Sequence, residues 1–135
     1  MESITISIIK EAYVSFEVAK LLKEKGFDWD IRQYYALDSK TNVWELEYDD
    51  NQGNYNIYGE NLISAPTQQM ACRWLREVHK IDISVTPDDG SWWIKVTELE
   101  SWSGVFNGKV LNSDDTSTKE SCYEAALEYV LTNLI

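Results

Sequence analysis

At 135 residues, with 44% hydrophobic and 13% aromatic residues, the chain has the size and apolar content of one folded domain and not those of a disordered segment. Its formal net charge of −11 repels phosphate backbones and anionic membrane surfaces, so neither nucleic acid nor membrane is an expected partner. No apolar run approaches the roughly 20 residues of a spanning helix, and the polar start Met1–Lys10 lacks a secretory signature, so a cytoplasmic protein is expected.

In chain order, Ser15 is a candidate N-cap for a first helix that runs to about Lys25 and stops at Gly26, the residue type suited to a left-handed terminus. Two β-rich runs follow, Asp30 to Leu37 and Val43 to Tyr48, around the turn-prone Asp38-Ser39-Lys40-Thr41-Asn42. Asp49 to Asn54 reads as a polar loop, and Tyr55 to Ile63 as an extended connection with a short strand at best. Thr67, with Pro66 just outside, caps a second helix whose Met70, Trp74, Val78 and Ile81 recur on one face. Strands Ile81 to Thr86 and Trp92 to Leu99 flank Pro87-Asp88-Asp89-Gly90, where proline presets one φ and glycine supplies a positive one.

Val105-Phe106 and Val110-Leu111 flank Asn107-Gly108, a strong short-range signal for a further small hairpin. After a polar approach from Asn112 to Lys119, Ser121 and Glu124 form a capping-box pattern that opens a third helix, with Val130, Leu131 and Leu134 turned inward. The sum is a single α+β domain over residues 1–135, three helices packed on an antiparallel sheet in the order α-β-β-α-β-β-(β-β)-α. The candidate caps Ser15, Thr67 and Ser121 are spaced by 52 and 54 residues, the pattern a duplicated α-β-β unit would leave.

The residues that carry chemistry are few. His79, the one histidine, falls in the last turn of the second helix, where the helix dipole favours a cation. A single imidazole, with Cys72 and Cys122 lacking ligand spacing, excludes the common zinc sites, and both thiols are expected to stay reduced. Cys72 is expected as a small buried hydrophobe; seven residues from His79 on one helix, it is a poor candidate for an activated nucleophile. Asp49, Asn51 and Glu60 match the first, third and twelfth positions of a calcium loop, but Asn54 stands at the sixth, where glycine is required. Glycine-rich phosphate cradles, nucleophile elbows and dinucleotide fingerprints are absent from the sequence. Asp88-Asp89 and Asp114-Asp115 fall in predicted turns, where carboxylates are solvated and unsuited to acid–base work. No catalytic, metal-binding or cofactor-binding residue is therefore assigned, and no cofactor is expected.

Surface recognition is the remaining function class. Trp92 and Trp93 are adjacent in a predicted strand and point to opposite faces, so one of them needs cover other than the core. That tryptophan either packs under the third helix or a loop or, with Trp102 and the carboxylates Asp88 and Asp89, forms the candidate partner-binding surface.

Three stretches, Tyr13 to Phe27, Ala65 to Ile81 and Tyr123-Glu124-Ala125-Ala126, resemble a family of small phage and prophage proteins of Bacteroides-type gut bacteria that has no known function. The resemblance implies an accessory protein carried on a mobile element and acting inside a bacterial host. Its partner is then a host or phage protein, or a second copy of itself. The chain departs from the family mainly between Asp38 and Asn61 and between Glu100 and Lys119, where partner specificity is expected. An alternative is an anti-defence inhibitor that imitates nucleic acid through its charge. A small-ligand binder or enzyme ranks behind both, because it needs a closed pocket with perturbed titratable groups.

Overall fold

Each helix starts where a side chain is available to satisfy its free amides. In the computed structural model, which describes residues 12–100, 103–109 and 118–135, of 88 and 103–109 the backbone alone, helix α1 spans Phe16–Glu24. The Val18 N–H donates to Ser15 Oγ at 3.2 Å, Val18, Ala19 and Leu22 are buried, and Gly26 follows the cap at φ +90°. Helix α2 spans Gln68–Val78, and the Met70 N–H donates to Thr67 Oγ1 at 3.1 Å. Its buried face is Gln68, Ala71, Cys72, Trp74 and Leu75, while Val78 is 51% exposed. The expected stripe fails at Val78 because the helix ends there. The chain turns through Lys80 at φ +58°, and Ile81 continues the core as the first residue of a strand.

Helix α3 spans Lys119–Asn133, and its cap, Thr118, lies three residues ahead of the expected Ser121. The Ser121 N–H donates to Thr118 Oγ1 at 3.1 Å and the Thr118 N–H donates back to Ser121 Oγ at 3.0 Å, a reciprocal capping box. Ser121 thus occupies the N3 position, and Glu124 is released from the capping role the sequence suggested. Val130 and Leu131 are buried and Leu134 packs at the core's margin.

The described residues have the expected α+β class and element order, with their strands in two antiparallel three-stranded sheets instead of one. The first contains β1 (Ile31–Leu37), β2 (Trp44–Gly53) and β3 (Leu62–Ser64) in the order β2-β1-β3. The second contains β4 (Ile81–Asp88), β5 (Ser91–Glu98) and β6 (Ser103–Lys109) in the order β4-β5-β6. The β4–β5 connection is a two-residue turn, with Asp89 at φ +45° and Gly90 at φ +82°, the primed geometry that follows sheet twist. Pro87 lies inside β4 opposite Trp92, which an edge strand tolerates. Asn107 and Gly108 lie inside β6 opposite Lys95 and Ile94, not at a turn; Val110 and Leu111 are outside the described residues.

One core joins both sheets to the helices. Ile63 from β3, Ile81, Ile83 and Val85 from β4, and Ile94 and Val96 from β5 cluster with Leu22, Phe27, Trp74, Leu75, Leu127 and Val130. Helix α1 packs on β3, α2 on β4, and α3 on β4 and β5 while touching both other helices. The three helix starts are tied together by one carboxylate. The Ser15 N–H donates to Glu124 Oε1 at 3.0 Å, and the Nε2 of buried Gln68 donates to the same oxygen at 3.1 Å and to Glu120 O at 2.9 Å. Glu124 therefore gives α1 the second half of a capping box from a different helix.

Candidate functional site

The sequence patterns Trp44-Glu45-Leu46-Glu47-Tyr48 and Asp49-Asp50-Asn51-Gln52-Gly53 both belong to β2, a ten-residue strand at the edge of its sheet. The Asp38 N–H donates to Val43 O at 3.0 Å across the hairpin, so ladder alternation turns the N–H and C=O of Trp44, Leu46 and Tyr48 away from β1. The Leu37 N–H correspondingly donates to Asn61 O on the other side, at 3.0 Å. No described strand pairs with the outer edge of β2.

Side chains on this edge alternate in chemistry as well as in direction. Trp44, Leu46 and Tyr48 share the face of Tyr35, and Trp44 packs on Phe16 of α1 with ring centroids 5.0 Å apart. Leu46 is 46% and Tyr48 55% exposed. Glu45 and Glu47 point to the opposite face, both exposed, and neither forms an ion pair with a described residue. Past Tyr48 the register shifts, since Gln33 pairs with Tyr48 but Ile31 pairs with Gly53. Asp49 to Gln52 therefore form a bulge, braced by the Asn51 N–H donating to Asp49 Oδ1 at 3.0 Å.

Beside the bulge, a recess of about 380 Å³ is lined by Tyr34, Asp49, Asn51, Gln52, Tyr55, Tyr58 and their neighbours. A short 3₁₀ turn, Tyr55–Ile57, lays Tyr55 on Tyr34 with stacked rings 4.3 Å apart, and Tyr58 stands 6.4 Å from Tyr55. Hydrogen bonds fix this arrangement. The Tyr55 OH donates to Asn51 O at 2.9 Å, the Tyr55 N–H to Ser64 Oγ at 3.1 Å, and Asn56 Nδ2 to Phe27 O at 2.9 Å. Lys23 Nζ holds the following turn by donating to Gly59 O and to Leu62 O. Burial, with the carboxylate of Asp49 nearby, pushes the Tyr55 phenol above its ordinary range, so it remains a neutral donor. Tyr58 is 64% exposed, leaving the recess open to solvent.

The tryptophans chosen from the sequence divide between two faces of β5. Trp92 is half-buried and packs against the core, in line with Ile94 and Val96. Trp93 is half-buried on the other face, opposite Thr86 and Lys109. Asp89 is exposed in the turn next to them, Asp88 closes β4 opposite Ser91, and Trp102 lies outside the described residues. Strand pairing thus puts Asp88, Asp89, Trp92 and Trp93 at one end of a hairpin, with the two indoles on opposite sides.

The titratable groups have different surroundings from those a nucleophile needs. Burial pushes the Cys72 thiol up to about 12, against a weaker downward pull from Arg76, and burial also raises Cys122. His79 is not held as a cation. Its ring packs edge-on against Trp74 at 4.7 Å, its Nε2 is buried with no hydrogen-bond partner, and desolvation lowers its pKa. Desolvation outweighs the helix dipole here, which corrects the expectation from position alone. The Asp49–Glu60 segment folds as strand, bulge and 3₁₀ turn, and no group of three or more metal-ligating side chains occurs among the described residues. No helix among them is long and apolar enough to cross a membrane.

Sequence reasoning missed the β2 edge because a strand solvated on both faces beyond Tyr48 carries no apolar alternation. The usable signal was Leu46 and Tyr48 alternating with Glu45 and Glu47 in a run already recognised as strand. Comparison of the chain with protein-family models, with curated proteins and with solved structures gave no match.

Proposed function

We propose that this protein is a non-enzymatic binding module that takes up an extended segment of another protein along the open edge of β2, as a fourth strand of the first sheet. The observation that carries the reading is the set of outward N–H and C=O groups at Trp44, Leu46 and Tyr48, flanked by exposed apolar side chains. Backbone bonds contribute roughly 1 kcal/mol each, which for this short edge falls below the roughly 8 kcal/mol of a micromolar complex. Side-chain complementarity from Leu46, Tyr48 and the acidic face supplies the difference.

A second copy of the chain fits this edge poorly. Antiparallel self-pairing centred on Leu46 sets Glu45 directly opposite Glu47 twice over, and like charges in that position are destabilising. The partner is therefore a different protein, and the resemblance to phage-borne proteins favours one from the host or the phage, inside the bacterial cell.

The test is selection of binders from a random decapeptide library on the intact protein, followed by binding to the Leu46→Pro variant. Proline there removes one outward N–H and leaves the β1 ladder intact. Binders that lose at least tenfold in affinity for Leu46→Pro, and that protect the amides of Leu46 and Tyr48 from hydrogen exchange, support strand addition. Binders indifferent to Leu46→Pro refute it.

A further inference from the structure

Resting on the strand-addition reading, we infer that the segment taken up is basic at alternate positions, and that the tyrosine recess beside the bulge receives one of its lysine or arginine side chains. The reasoning begins with strand geometry. A strand added to β2 lies about 4.8 Å from it and sends every second side chain to each face. On the face of Trp44, Leu46 and Tyr48 those side chains meet apolar surface; on the other they meet Glu45 and Glu47.

These carboxylates lack an ion-pair partner among the described residues, so a cation arriving there displaces no pair with any of them. The same face continues into the recess, because Tyr34 is paired with Glu47 and shares its side of the sheet. There Tyr34, Tyr55 and Tyr58 present aromatic rings and Asp49 a carboxylate around about 380 Å³ of open space. Ring faces attract a cation through their quadrupole, and an adjacent carboxylate supplies the counter-charge. The apolar stem of lysine or arginine lies along the rings while its charged end reaches Asp49. Acidic and neutral segments gain nothing from this arrangement, and the chain's charge of −11 repels the former at longer range.

The experiment uses the peptides selected above, each prepared with its lysines and arginines intact and with every one in turn replaced by norleucine. Three protein variants are compared with the parent: Asp49→Asn, which keeps the acceptor for the Asn51 N–H; Tyr58→Leu at the exposed rim; and Leu46→Pro. The expected result is basic residues at alternate positions in the selected peptides, one of which loses roughly fivefold in affinity on change to norleucine. Asp49→Asn and Tyr58→Leu should produce the same loss for the parent peptide and none for that norleucine form. Peptides that need the β2 edge, as judged by Leu46→Pro, but show no basic enrichment or no sensitivity to Asp49→Asn overturn this inference and leave strand addition standing. Indifference to Leu46→Pro overturns both.

Discussion

Replacing Glu124 by alanine isolates the contact that ties the three helix starts together. In the folded protein its Oε1 accepts from the Ser15 N–H at 3.0 Å and from Gln68 Nε2 at 3.1 Å. Gln68 is 3% exposed and keeps its bond to Glu120 O, whereas Ser15 is half-buried and water reaches it in part. Charge-assisted bonds of this kind contribute roughly 1.5–3 kcal/mol each, and a donor left partly wet loses less. Glu124→Ala should therefore cost about 2–3 kcal/mol, and Glu124→Gln, which keeps an acceptor and loses the charge, about 1 kcal/mol. Urea unfolding followed by far-UV circular dichroism measures both. A double-mutant cycle between Glu124→Ala and Gln68→Ala should show a coupling above about 0.5 kcal/mol. Equal losses for Glu124→Ala and Glu124→Gln, or additive effects in the cycle, would refute a bridging role for the carboxylate.

Two further outcomes follow from burial. Trp74→Ala should lose about 3–5 kcal/mol by emptying the core, while Val78→Ser, one turn further along and exposed, should stay within about 0.5 kcal/mol of the parent in the same urea assay. Because desolvation depresses the His79 pKa in the folded state, the unfolded chain binds the proton more readily. This residue's contribution to stability is thus greatest above the ordinary imidazole value and declines as pH falls through that value toward the depressed one. His79→Phe should make unfolding free energies at pH 5 and pH 7.5 differ less than in the parent; an unchanged difference would contradict the desolvation of this imidazole.

Much of the architecture was readable from local pattern. Ser15, Thr67 and the Asp89-Gly90 turn each act through neighbours within a few residues, so their chemistry shows in the sequence. What escaped depends on distant partners. Asn107-Gly108 has the composition of a turn, yet pairing with Lys95 and Ile94 holds it extended, an instance of tertiary context overriding local preference. The pair Ser121 and Glu124 satisfies the capping-box pattern, but Thr118 offers an earlier cap and Glu124 serves α1 instead. The division of the strands into two sheets likewise depends on pairing that no window of sequence contains. The candidate site was hidden for a related reason: Tyr34, Asp49, Tyr55 and Tyr58 come together through a bulge and a 3₁₀ turn, neither with a periodic signature.

The bond between the Ser15 N–H and Glu124 spans 109 positions of the chain. During synthesis, the first helix leaves the ribosome long before the carboxylate that completes its start has been made. Closing so large a loop carries an entropy cost that contacts between near neighbours do not. A nascent chain that ends before Glu124 should therefore hold α1 frayed at its first turn, and its maturation would be timed by arrival of the C-terminal helix.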